Sequence, residues 1–222
     1  MRKIQFIIAV LVSISAPLSL AIESTPEERF SITKQKAEAG DARAQYTLGE
    51  MYEKANGTHR DDAKALVIYK QSAMKGNAEA QSKLGLYYEY GIGVEKNIDK
   101  AIKLYQKAAT QGNAEAQSNL ALLYTEGNGV RMNRAKALEL NRKAAAQGND
   151  SAQYALGMSY KFGFDVPMDN VLAYAWFNLA AAQGSKTAIA YRDEIESEMT
   201  ASERAEGQRL ASKWTKGNLL RR

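Results

Sequence analysis

The chain carries one histidine, His59, set among Arg60, Asp61 and Asp62. A metal site needs further ligands around an imidazole, and a general base needs a positioned partner. This stretch has the composition of a solvated turn instead. The pairs Gly91-Ile92-Gly93 and Gly127-Asn128-Gly129 share a glycine spacing with phosphate loops. They lack the third glycine, the lysine and the preceding strand that such loops require. Glu79 and Glu115 stand 36 residues apart and read as charge at helix starts, favourable at the positive end of the dipole. Cysteine is absent, which excludes disulfides, thiolate metal ligation and thiol catalysis. The sequence therefore assigns no catalytic residue, no cofactor and no metal ligand.

What the spacing does specify is a repeated element. Gly40, Gly76, Gly112, Gly148 and Gly184 share the 36-residue step, as do Ala44, Ala80, Ala116, Ala152 and Ala188. Columns of glutamine (45, 81, 117, 153), leucine (48, 84, 120, 156) and tyrosine (52, 88, 124, 160) keep the same register. Ala80, Leu84 and Tyr88 lie at i, i+4 and i+8, one face of a helix. Ala101, Leu104, Tyr105, Ala108 and Ala109 form the apolar stripe of a second helix. The glycines between them permit the positive φ of a tight reversal. Each unit is thus a helix hairpin that cannot bury its apolar face alone, so neighbours must stack. The first turn reads Ala55-Asn56-Gly57-Thr58, Ala121 replaces a glycine and Asn141 replaces a tyrosine, all without changing unit length.

The ends differ from the middle. Residues 27–39 align with a second-helix segment and predict a half-unit that caps the first repeat. After Gly184 the register decays, since Arg192 stands where leucine recurred. Thr200 with Glu203 forms a capping box that starts a last helix to about Lys216, with Leu210 and Trp214 sealing the stack. The basic residues Lys213, Lys216, Arg221 and Arg222 are expected in a frayed tail. At the other end, Arg2 and Lys3 precede the apolar run Ile4 to Ile14, Pro17 breaks it, and Ser19-Leu20-Ala21 supplies small residues for cleavage. A retained anchor is the alternative reading. It is disfavoured by Pro17 and by a run short of the ~20 residues a bilayer needs. The expected organisation is a signal peptide over 1–21, a capping helix over 22–40, four repeats over 41–184, and capping helices with a basic tail over 185–222. The net charge of +5 is mild and interleaved, unlike the basic stripe of a nucleic-acid binder.

The string from Ala73 to Val94, with Gly76-Asn77-Ala78, Ala80-Gln81, Leu84-Gly85, Tyr88 and Gly91-x-Gly93-Val94, resembles the Sel-one-like repeat, a relative of the tetratricopeptide repeat. The resemblance covers roughly residues 37–184, and the segment Ala173 to Gly184 is similar to the last repeat of bacterial members. It implies an all-α, right-handed α-solenoid of about four 36-residue helix-turn-helix repeats with terminal capping helices. It also implies a non-enzymatic adaptor or scaffold for protein–protein interaction. Exported, cysteine-rich members are linked to β-lactam binding, so the alternative is a small-molecule or cell-wall/β-lactam-binding protein with weak hydrolase activity. That branch depends on disulfide-bonded repeats, which this chain cannot make.

A binding surface is expected on the first helices, which line the concave side in solenoids. Leu86, Tyr90, Leu122, Tyr154, Met158 and Phe162 lie off the Ala-Leu-Tyr stripe yet are apolar or aromatic. Two readings stand: a groove for another protein or peptide, or packing between adjacent repeats. The sequence names no partner, calls for no nucleic acid, and leaves no membrane span once residues 1–21 are removed. The protein is expected in the periplasm or secreted. N-terminal sequencing of exported protein should begin at Ile22; material beginning at Met1 would show a retained segment.

Overall fold

The computed structural model describes residues 24–222; the expected signal peptide and its cleavage site lie outside the described residues. Eleven helices follow one another among these residues, and no strand is present. Helix α1 spans Pro26–Glu38 and opens on the capping box of Thr25 and Glu28. Four hairpins follow: α2 Ala42–Glu53 with α3 Asp62–Met74, α4 Ala78–Tyr90 with α5 Ile98–Thr110, α6 Ala114–Glu126 with α7 Arg134–Ala146, and α8 Asp150–Phe162 with α9 Asn170–Ala182. Two more, α10 Lys186–Glu198 and α11 Ala201–Lys213, close the stack. Helices α1 to α10 each pack on their neighbours in the chain, and α11 returns to cover α9.

Local chemistry sets the boundaries. Asp41, Asn77, Asn113 and Asn149 cap the first helices of the four hairpins, and Asp61, Asn97, Asn133 and Asp169 cap the second, each side chain accepting a first-turn N–H. Gly91, Gly127 and Gly163 end first helices in the left-handed region. In the first hairpin Ala55 adopts that conformation, with φ 55°, at a cost glycine would not incur. The turns leave no helix long and apolar enough to cross a membrane among the described residues.

Within each hairpin the first helix meets a ring from the second. Gly49 faces Tyr69, Gly85 faces Tyr105 and Gly157 faces Phe177, so closely that an added Cβ would lie 2.6, 2.7 and 2.5 Å from the nearest ring atom. The third hairpin departs at both positions together: Ala121, fully buried, takes the glycine's place, and Asn141 takes the ring's place. The two substitutions are one compensated change in volume.

Between hairpins the glutamine column forms buried bridges. Gln81 Nε2 donates to the Ala73 carbonyl at 3.2 Å, while its Oε1 accepts from Gln111 Nε2 at 2.8 Å. Gln117 and Gln153 repeat the pattern with Gln147 and Gln183. In the first hairpin Lys75 stands where those partners would be, and Gln45 Oε1 is left without a donor. The tyrosine column spans the same seams: Tyr52 and Tyr88 each pack against two successive core clusters.

The closing elements differ from expectation. The last helix ends at Lys213 because Trp214 turns extended, and the tail is docked rather than frayed. The Gly217 N–H donates to the Ala146 carbonyl at 2.7 Å, Leu220 is buried, and Arg222 reaches Asp169 and Glu206. Leu219 and Leu220 border a cleft of ≈ 220 Å³ with Leu156, Tyr160 and Trp176. Two consecutive leucines after a helix end find apolar surface there, which outweighs the fraying tendency of a terminus. Helix α9 is consequently buried on nearly all sides, from Val171 to Phe177 without a break, as its uniformly apolar sequence demands.

Asn141→Phe alone should destabilise the fold by about 1–3 kcal/mol through overpacking against Ala121. Adding Ala121→Gly should recover most of that loss, a favourable coupling measurable by denaturant unfolding of the two single variants and the double.

Candidate functional site

The first helices share one face along the stack, and its residues can be followed by column. Tyr46, Ser82, Ser118 and Tyr154 form one, Glu50, Leu86, Leu122 and Met158 the next, then Glu53, Glu89, Thr125 and Lys161, and finally Lys54, Tyr90, Glu126 and Phe162. The helical spacing of 4, 3 and 1 places these four columns on one side, opposite the alanine and leucine columns that meet the second helices.

Beneath the face lies a carboxylate row. Glu53 accepts hydrogen bonds from Tyr69 Oη at 2.9 Å and Tyr87 Oη at 3.1 Å, and pairs with Lys83 Nζ at 2.9 Å. Burial opposes its charge, but the hydrogen bonds from Lys83, Tyr69 and Tyr87 outweigh it and hold Glu53 below the usual carboxylate range. Glu89, buried, accepts from Tyr105 Oη at 2.7 Å. Burial first, then the neighbouring carboxylates Glu53 and Glu89, push the Tyr69 and Tyr105 hydroxyls well above their ordinary range, so both stay protonated as donors. The row follows the rings: where Asn141 replaces tyrosine the position is Thr125, whose hydroxyl donates to the Ala121 carbonyl, and where Phe177 lacks a hydroxyl it is Lys161. Lys161 turns instead to Glu194 of α10, at 2.6 Å, with its ammonium 5.2 Å from the Tyr191 ring centroid.

The six apolar residues expected as a strip take two kinds of place. Tyr90, Leu122 and Phe162 are open, at 62%, 47% and 44% exposure. Leu86, Tyr154 and Met158 are half-buried. Tyr154 lies 5.9 Å from the Phe177 ring and 5.8 Å from that of Tyr191, and with Met158 it packs against the cluster holding Leu156, Trp176 and Phe177. These two side chains help hold α8 to α9 and α10. Sequence reasoning missed Phe164, stacked on Phe162 at 5.6 Å, and the exposed turn residues Ile92, Met132 and Met168. Their apolar type at a turn was the available signal. It missed the carboxylate row as well, because an outward-facing glutamate reads as ordinary solvated charge.

Catalytic groupings remain sparse. His59 is exposed, and no cluster of three or more His, Asp or Glu is placed to hold a metal among the described residues.

The Sel1 repeat model matches residues 42–77, 78–113, 114–149 and 150–185, well over half of the chain and in step with the four hairpins. The chain is a Sel1 repeat protein. A Sel1 repeat protein from Oxalobacter formigenes is 29% identical over 85% of this chain and 79% of its own, with a TM-score of 0.67. Two immunity proteins of Pseudomonas aeruginosa share the fold. One is 23% identical over 75% of this chain and 62% of its own, with a TM-score of 0.53. The other is 20% identical over 83% and 72%, with a TM-score of 0.52. No curated protein matches the sequence. The solenoid and the repeat length expected from the sequence are thereby established.

Because Glu53 titrates lower in the folded protein than the ~4.3 of an unfolded chain, its contribution to stability is complete above that value. It is lost as pH falls through the lower folded value. Glu53→Gln should therefore flatten part of the acid limb of stability below about pH 4.5. Denaturant midpoints of the two proteins measured from pH 6 to pH 3 check this.

Proposed function

We propose that this Sel1 repeat protein is an exported, non-enzymatic adaptor that holds a partner protein on the face formed by its first helices, the concave side of the solenoid. Sel1 repeats generally mediate protein interaction. The observation that carries the reading is the exposure of Tyr90, Leu122 and Phe162 on three successive first helices, in positions outside the core clusters that join the helices. Covering such side chains yields about 25 cal/mol per Å² of apolar area, and aromatic anchors dominate interface energetics. Export to the periplasm or beyond the cell is supported by the charged, apolar and small-residue segments of residues 1–21. Small-molecule chemistry has less behind it: the chain lacks the cysteines of the β-lactam-linked relatives.

The combined variant Tyr90→Ser, Leu122→Ser, Phe162→Ser should abolish capture of partners from the native envelope fraction. Its stability should shift by no more than about 0.5 kcal/mol per site, as at other exposed positions. Tyr154→Ser should instead lower stability by about 2 kcal/mol or more, as ring truncation in packed sites does. Unchanged capture by the triple variant would remove this face from the interaction.

A further inference from the structure

The two layers of the solenoid carry opposite charge. The first helices α2, α4, α6 and α8 hold seven acidic residues (Glu50, Glu53, Glu79, Glu89, Glu115, Glu126 and Asp150) against three basic ones, a net of −4. The second helices α3, α5, α7 and α9 hold nine basic residues against three acidic ones, a net of +6. In a chain of net charge +5 the first-helix layer is therefore negative against the overall sign. The cations of the face are largely spent: Lys83 is paired with Glu53, Lys161 with Glu194, and Lys54, the C-cap of α2, with Glu50, leaving Arg43. Glu79, Glu115 and Glu126 are exposed and have no cationic partner among the described residues.

These carboxylates share one space with the apolar residues. Glu79 and Glu115 each lie seven residues before Leu86 and Leu122, on the same side of their helices, and after burial the charges of Glu50, Glu115 and Glu79 all push the Tyr46 hydroxyl up. The Tyr90 hydroxyl of the second repeat is likewise pushed up, first by Glu89 and burial and then by Glu126 of the third repeat. The exposed Tyr90 and Leu122 thus sit within a field of like charge that the protein leaves uncompensated. Such an arrangement strengthens attraction for a partner of opposite sign and rejects acidic partners.

We propose that the first-helix face takes a basic polypeptide segment, whose lysine or arginine side chains meet Glu79, Glu115 and Glu126 while an apolar side chain covers Tyr90 and Leu122. This rests on the reading of that face as the partner-binding surface and adds the chemistry of the partner. Phosphate-rich ligands and acidic segments are disfavoured on the same ground. The basic second-helix layer has no matching set of exposed aromatic residues, since its large exposed apolar side chains are Val67 and Met74.

The test uses the full chain after export and two fluorescein-labelled 15-residue peptides. One repeats Lys-Leu-Ala-Lys-Ala, and the other has glutamate for every lysine. The lysine peptide should bind at least tenfold tighter than its counterpart, weakening severalfold from 50 to 300 mM salt as screened pairs do. Glu79→Lys with Glu115→Lys should weaken it at least tenfold while lowering the thermal melt only slightly, the loss expected from reversing first-turn charge on two helices. Glu27→Lys with Glu95→Lys, the same change of net charge on exposed residues off this face, should leave it within about twofold, as screening of distant charges implies. Equal binding of both peptides, binding of neither, or equal losses in the two charge-reversed variants would overturn the proposal. So would self-association of the chain in sedimentation velocity that the Glu79, Glu115 variant abolishes, since the occupant would then be the basic layer of a second copy. If envelope capture is lost in the triple serine variant but kept in the Glu79, Glu115 variant, the interaction face stands and the basic partner does not.

Discussion

A ring laid against bare backbone is the contact on which the rest of the molecule depends. Helix axes within a hairpin approach as closely as they do because Gly49, Gly85 and Gly157 present no Cβ to Tyr69, Tyr105 and Phe177. A glycine in a helix interior costs about 1 kcal/mol of propensity, so it persists only where close packing repays it. The third hairpin shows the rule from the other side. With Asn141 in place of the ring, a methyl group returns at Ala121, and interior density is preserved by different atoms.

The same contact decides the chemistry of the exposed face. A tyrosine driven under a glycine brings its hydroxyl out on the far side of the first helix, where it needs an acceptor. Glu53 and Glu89 meet Tyr69 and Tyr105 there. The acidity of the face is thus partly a consequence of core packing, and it fades where the rings lose their hydroxyls. At Phe177 the position becomes Lys161, whose ammonium is held by Glu194 and the Tyr191 ring. The face stays acidic through Glu115 and Glu126 of the third hairpin and ends aromatic and internally paired at the fourth.

Stacking adds a second constraint. The Gln81–Gln111, Gln117–Gln147 and Gln153–Gln183 bridges join the two helices of a hairpin, while each first glutamine also reaches the carbonyl of the preceding hairpin. Buried amides satisfied on both sides fix register as apolar contact alone does not. The last hairpin has no fifth repeat to cover it, so α10, α11 and the Leu219-Leu220 tail supply the missing surface. Cover of this kind is what an array of non-self-sufficient units requires at its ends.

The sequence by itself determined the unit, its length, its caps and its turns, because those follow from local periodicity and from residues such as Asn77, Asn113 and Gly91 acting on their own backbone. It also marked Leu86, Tyr90, Leu122, Tyr154, Met158 and Phe162 as apolar residues off the hairpin stripe. Only the tertiary structure separated them. Tyr154 and Met158 are drawn into the final cluster because Tyr191, more than thirty residues on, comes back beside Phe177. Tyr90 and Leu122 meet no such neighbour and stay open. Periodicity states which way a side chain leaves its helix. What it meets there depends on how the next hairpin is set against it, and that is decided by packing between distant segments.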